Sequence, residues 1–174
     1  MPPRSPAVGD IYQSTEKFNQ GSDSAGLTNS TLTISVGGNA TPVTVNDQMT
    51  VNDLIGAINT SNAGVTASLV ASGGQYVVQL AGPNGAANAI SASFSPPPTS
   101  AWAFSVKTQS AADRTWNFAN RTQSANDAQF SVNGINISRA SNTVTDVVDG
   151  MTFRLSRVQA GAEPDVQLGV SFDS

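Results

Sequence analysis

Asp146 and Asp149 stand three residues apart, a spacing that sets two carboxylates on one side of a helical turn. One could serve as acid and the other as base. That chemistry needs burial to push two pKa values apart, and both residues fall where a helix cap would place them, so capping is the expected role. Asp47 with Asp53, and Asn46 with Asn52, offer the oxygen donors that calcium prefers. The chain has no D-x-[DN]-x-[DN]-G loop closed by a Glu at the twelfth position, so no calcium site is expected. Gly37, Gly38, Gly73, Gly74, Gly82 and Gly85 follow apolar runs without opening a helix in phosphate-loop spacing, and hairpin turns account for them better. Serines are plentiful, yet no G-x-S-x-G occurs and the chain holds no His to activate one. With no Cys either, thiolate catalysis, disulfides and zinc or iron–sulfur ligation are excluded. No catalytic residue, metal or cofactor is expected, and the chain reads as something other than an enzyme.

What remains is contact chemistry. Trp102, Phe104, Trp116 and Phe118 are the best candidates for a protein-contact surface, since aromatic anchors dominate binding hot spots. Packing at a junction between domains competes with that role and is the more expected of the two. The eight basic residues are scattered along a chain of net charge −4, which argues against nucleic acid and anionic membranes. Arg114 and Arg121 flank Trp116 and Phe118, a faint basic–aromatic interleaving that serves equally well in a packed connector. No apolar run approaches the ~20 residues of a membrane span. The opening MPPRSPAVGD lacks the apolar centre of a cleaved signal peptide.

The elements that would carry any such surface are β-rich. Charged residues make up only 11%, and Ser, Thr, Asn and Gln supply 63 of 174 positions, the polar half of many alternating strands. Residues 1–26 read as a lead-in, with one strand within Ile11–Phe18 that could join the second domain, and a loop over Gly21–Gly26. Thr31–Val36 alternates apolar and polar residues, Gly37-Gly38 turns the chain, and Pro42–Val45 returns. Thr50 then offers an N-cap, with Asp53 in the first turn. Val51, Leu54, Ile55 and Ile58 follow at helical spacing, and Asn62-Ala63-Gly64 ends the helix. Val65–Val70 and Tyr76–Leu80 complete a β-β-α-β-β unit. A related unit follows. Phe130–Val132, the Asn133-Gly134 turn and Ile135–Ser138 form its hairpin. Thr143–Val148 repeats the capping pattern of Thr50–Ile55 and predicts a helix about two turns shorter. Gly150–Leu155 matches Gly64–Leu69, and Val166–Phe172 supplies the last strand. The expected fold is therefore mainly β (β-rich α+β), two related β-β-α-β-β units each carrying a short helix. Pro96-Pro97-Pro98 and the poorly patterned residues 99–127 mark the junction. The expected domains are 27–108 and 109–174.

Two stretches resemble the bacterial flagellar filament cap (hook-associated protein 2) family. Thr31–Ile90 looks like the flagellin IN motif, named for the Ile58-Asn59 pair that closes the helix. Ser124–Leu155, with AQFSVNG and SNTVTDVVDGMTF, is similar to the segment that follows the IN unit in cap proteins. The resemblance implies an extracellular structural protein at the flagellar tip, exported without a cleaved signal. It implies self-assembly into a plate with legs and flagellin as partner, with these β-rich units as outer plate domains. Neither end shows sustained heptads, so an excised outer part is expected. Two other readings stand beside it: an adhesion module for host glycan or mucin, and an IN-bearing outer domain of a flagellin.

Overall fold

The computed structural model describes residues 5–14, 16–96 and 121–157. Three hairpins organise it, and each turns where the sequence supplies positive φ. Gly37-Gly38 (57° and 86°) joins β2 (Ser30–Val36) to β3 (Asn39–Val45). Gly73-Gly74 (62° and 85°) joins β4 (Thr66–Ser72) to β5 (Gln75–Asn84). Asn133-Gly134 (51° and 80°) joins β8 (Ala128–Val132) to β9 (Ile135–Arg139). Positive φ at both central residues makes the type I′ turn, whose twist matches that of the strands it connects.

The alternation in β2 does what its period demands. Leu32 and Ile34 are fully buried, while Thr31, Thr33 and Ser35 face the other side of the strand. β2 is the centre of a three-stranded antiparallel sheet, ordered β3-β2-β6, with β6 spanning Ile90–Ser95. The lead-in contributes β1 (Gly9–Gln13), which covers the expected strand at its N-terminal end. β1 lies between β5 and β7 (Arg121–Gln123) in a four-stranded sheet ordered β4-β5-β1-β7.

The helix α1 (Val51–Thr60) lies against β3 and β4. Thr50 caps it in extended geometry. The Thr50 Oγ1 accepts from the Asp53 N–H at 3.2 Å, and the Asp53 carboxylate accepts from the Thr50 N–H at 3.0 Å. This reciprocal box satisfies two N–H groups that the first helical turn cannot. Val51, Leu54 and Ile58 form its buried stripe and join Leu32, Ile34, Val43, Val45, Val78 and Leu80 in the main core.

The second unit departs from expectation. Thr143–Val148 is not a helix: Thr143–Val144 is a short strand, β10, paired antiparallel with β11 (Phe153–Arg154), and residues 146–150 bend and turn between them. The segment between Thr143 and Gly150 is too short to repay helix nucleation, and its Val and Thr residues favour extended backbone. α1 is the one α-helix among the described residues. A small satellite core forms instead, with Ala128, Phe130 and Val144 buried and the Phe130 and Phe153 rings 6.2 Å apart. The expected last strand, Val166–Phe172, and the expected boundary between 108 and 109 lie outside the described residues. No helix of the described residues is long and apolar enough to cross a membrane.

Candidate functional site

The four aromatic contact candidates, Trp102, Phe104, Trp116 and Phe118, lie outside the described residues. The polar architecture inside the described part is better defined than the sequence suggested. It consists of side chains that take the place of missing strands at sheet edges.

The Ile58-Asn59 pair is the first case. Ile58 is fully buried in the core. Asn59, one residue on, points its amide at β4. It donates from Nδ2 to the Ala67 carbonyl at 2.9 Å and accepts at Oδ1 from the Ala67 N–H at 2.7 Å. Residue Ala67 faces Leu80 on β5 as a non-hydrogen-bonded pair, so its own N–H and C=O point away from the sheet. The amide therefore fills one rung of an edge with the donor and acceptor of a peptide group. The pair has two separable jobs: Ile58 anchors the helix, and Asn59 ties it to the strand edge.

A second amide repeats this geometry. Asn142 donates from Nδ2 to the Ala7 carbonyl at 2.9 Å and accepts at Oδ1 from the Ala7 N–H at 2.6 Å. It joins the lead-in to the downstream unit. Ser5 and Val8 on either side pair with Gln129 and Asn126.

Asp10, on β1, is the third. It is fully buried, and its carboxylate accepts from the Ile90 N–H at 2.7 Å, the Ala125 N–H at 2.6 Å and Arg121 Nη2 at 3.3 Å. A buried carboxylate is tolerable only with such partners. Arg121 also donates from Nε to the Tyr12 hydroxyl at 2.7 Å and from Nη1 to Ser124 Oγ at 3.2 Å. The Tyr12 hydroxyl in turn donates to the Ile90 carbonyl at 3.4 Å. Asp10 and Tyr12 together thus occupy the outward N–H and C=O of Ile90 at the edge of β6. Burial pushes the Tyr12 phenol above its usual pKa, partly offset by the hydrogen bond from Arg121.

Sequence reasoning missed Asp10, Asn142 and Asp127. Asp127 accepts from the Ala86 N–H at 2.8 Å and from Ser138 Oγ at 3.3 Å. Their partners are 41 to 135 residues away along the chain in all but one bond, and no local pattern marks them. Arg121, which the sequence placed in a faint basic–aromatic run, is spent on this junction.

The carboxylates weighed for acid–base chemistry also resolve. Asp146 is an exposed partner of Arg139, whose Nε lies 3.0 Å from Oδ2, so it is not a helix cap. That hydrogen bond holds its carboxyl below the usual range. Asp53 is lowered too, by its hydrogen bonds with the Thr50 side chain and backbone. Asp149 is exposed. Among the described residues no three His, Cys, Asp or Glu side chains gather where a metal could sit.

Two family models match separate segments of the chain. Residues 31–81 match the family model described as the flagellin hook IN motif, and residues 125–174 match that of the flagellar hook-associated protein 2 C-terminus. None of the curated proteins matches the chain in sequence. Solved structures do. The FliD D2–D3 domains of Serratia marcescens are similar with a TM-score of 0.75 and 25% identity, over 94% of this chain and 88% of that one. FliD (HAP2) of Pseudomonas aeruginosa is similar with a TM-score of 0.71 and 26% identity, over 99% of this chain and 78% of that one. The Escherichia coli FliD D2–D3 domains share the fold at a TM-score of 0.73 and 23% identity, over 91% and 82%. Against the longer D1–D2–D3 chain from the same organism, this chain spans 45% of the length. The downstream match separates the chain from an IN-bearing flagellin domain, because it names the hook-associated protein. Two family segments in order, each under a third of the chain, and a fold shared across nine-tenths of the length support a flagellar cap protein fragment similar to the D2–D3 domains.

Proposed function

We propose that this chain is an outer part of the flagellar filament cap, a structural component that promotes flagellin polymerisation at the filament tip through protein–protein contacts. In that reading the whole protein self-assembles, flagellin is its partner, and its place is extracellular. The observation that carries the proposal is the likeness to FliD (HAP2) of Pseudomonas aeruginosa over 99% of this chain, with the hook-associated protein 2 segment at residues 125–174. The chain's chemistry supports it. There is no His or Cys to catalyse with, and Arg121 and Arg139 are committed to internal carboxylates rather than offered to a substrate.

The test is complementation of a motile bacterium from which the cap protein has been deleted. The full-length protein carrying this region should be labelled at filament tips and should restore filaments. Deleting residues 27–96 should leave flagellin subunits in the medium. Label distributed along the filament would overturn the reading.

A further inference from the structure

The outer edge of β4 is closed at only one end. Ser72 and Gln75 flank a two-residue turn and exchange both their hydrogen bonds, so alternate residues Ala71, Leu69 and Ala67 direct their N–H and C=O away from β5. Asn59 occupies Ala67. Among the described residues nothing occupies Leu69 or Ala71. An outer edge of the three-stranded sheet, β3, is by contrast blunted where the same alternation turns Pro42 outward, since proline has no N–H to offer. No charge guards β4 either. From Leu54 to Val106 the sequence holds no Asp, Glu, Lys or Arg, although the chain as a whole carries −4. A natural edge strand ordinarily carries a Lys, a Pro or a bulge to prevent pairing. This one carries none of them.

We propose that this edge is a self-association site: β4 pairs antiparallel with β4 of a second copy about a two-fold axis through Val70. The open edge is complementary to itself in length and spacing. In the register centred on Val70, Leu69 faces Ala71 of the other copy and Ala71 faces its Leu69. All four open N–H groups then meet all four open C=O groups. The rung beyond is closed by Asn59, so the ladder stops where the free groups end. Val70 faces Val70 across the axis as a non-hydrogen-bonded pair, the closer of the two antiparallel pair types. Because the segment is uncharged, two copies of an acidic chain approach there without like-charge repulsion. The contact is small, so the dimer is weak and concentration-dependent.

The chain has no Cys, which makes the test direct. Val70→Cys places one thiol on the proposed axis, within the Cβ separation that a disulfide accepts. Thr44→Cys, on the exposed face of the blunted β3, is the collision control. Under one mild oxidant Val70→Cys should cross-link about tenfold faster than Thr44→Cys, as expected of thiols held at high effective concentration. Adding Ala71→Pro should return it to the control rate. The unmodified chain should show concentration-dependent dimer in sedimentation velocity, and Val70→Lys should abolish it at low salt while keeping the parent circular dichroism. Equal cross-linking rates, or a parent that is monomeric at every concentration, would overturn the proposal. So would a benzophenone carried on the Val70→Cys thiol that captures flagellin and never a second copy, since that would assign the edge to a flagellin strand. None of these outcomes bears on tip localisation, which is read separately.

Discussion

Thr50–Gly64 and Thr143–Gly150 begin with nearly the same letters and finish in different structures. Thr-Val-Asn-Asp-Leu-Ile becomes a capped helix, and Thr-Val-Thr-Asp-Val-Val becomes a two-residue strand and a turn. The second position is buried in both, Val51 and Val144, so each segment delivers one valine to a core. The backbones already differ there, helical at Val51 and extended at Val144, and the side chains part at the fourth position. Asp53 folds back on its own cap, while Asp146 reaches Arg139 at the end of β9, the preceding strand in the chain. Beyond that, the first segment has room for a second turn that brings Ile58 into the core, and the second meets Gly150 first. A cap signal is permissive. The buried residue one turn further along decides whether a helix results.

The same contrast explains how each region is held. The first has its own core around α1. The second draws much of its support from the lead-in, through Asn142, Asp10 and the pairs at Ser5 and Val8. The largest expected effect therefore lies at Asp10. Asp10→Ala would strand the Ile90 and Ala125 N–H groups and should cost about 3 kcal/mol in urea unfolding. If the downstream amides kept their hydrogen-exchange protection, the dependence of that region on the lead-in would be refuted.

Next comes Ile58→Ala, expected to cost about 2–4 kcal/mol by cavity formation. Val148→Ala, at the half-buried position matching Ile55, should stay below about 1 kcal/mol. Similar losses at both sites would break the comparison. Smaller still, Thr50→Ala should remove about 1 kcal/mol with its cap, against less than about 0.5 kcal/mol for Thr143→Ala. An equal cost would mean that Thr143 caps a helix in solution.

The smallest effect is one of pH. Asp53 and Asp146 are both lowered in the folded protein, so each contributes stability that is fully present above its unfolded pKa of about 3.9. That stability is lost as pH falls through the folded value. Urea midpoints measured from pH 6 to 3 should fall for the parent, and Asp146→Asn should flatten part of that fall. Both carboxylates are exposed, so added salt should shrink the difference. Insensitivity to the substitution would show that the Arg139 pair contributes nothing.

Much of this was legible in the residues. Alternation in Thr31–Val36, the paired positive-φ turns, and Thr50 with Asp53 are local signals, and local structure obeyed them. The cap pattern at Thr143 makes no helix, because the chain turns at residues 146–150 before a further helical turn could bury a side chain. Asp10, Asn142 and Asp127 were invisible for a different reason. Each is an ordinary polar residue in its own stretch of chain, and only the folded topology brings its partners within reach. Trp102, Phe104, Trp116 and Phe118 lie outside the described residues.

The two amides that stand in for strands carry a chemical clock. Hydrolysis of an asparagine side chain to aspartate replaces an NH2 donor with a second acceptor oxygen. At Asn59 or Asn142 that new oxygen would face the carbonyl of Ala67 or Ala7 at the distance where the NH2 now donates, 2.9 Å. A gain of one negative charge would turn an attraction into a repulsion at an exposed helix end and at a junction between distant parts of the chain. Wherever a folded copy is kept rather than replaced, the slow chemistry of those two groups would limit its useful life.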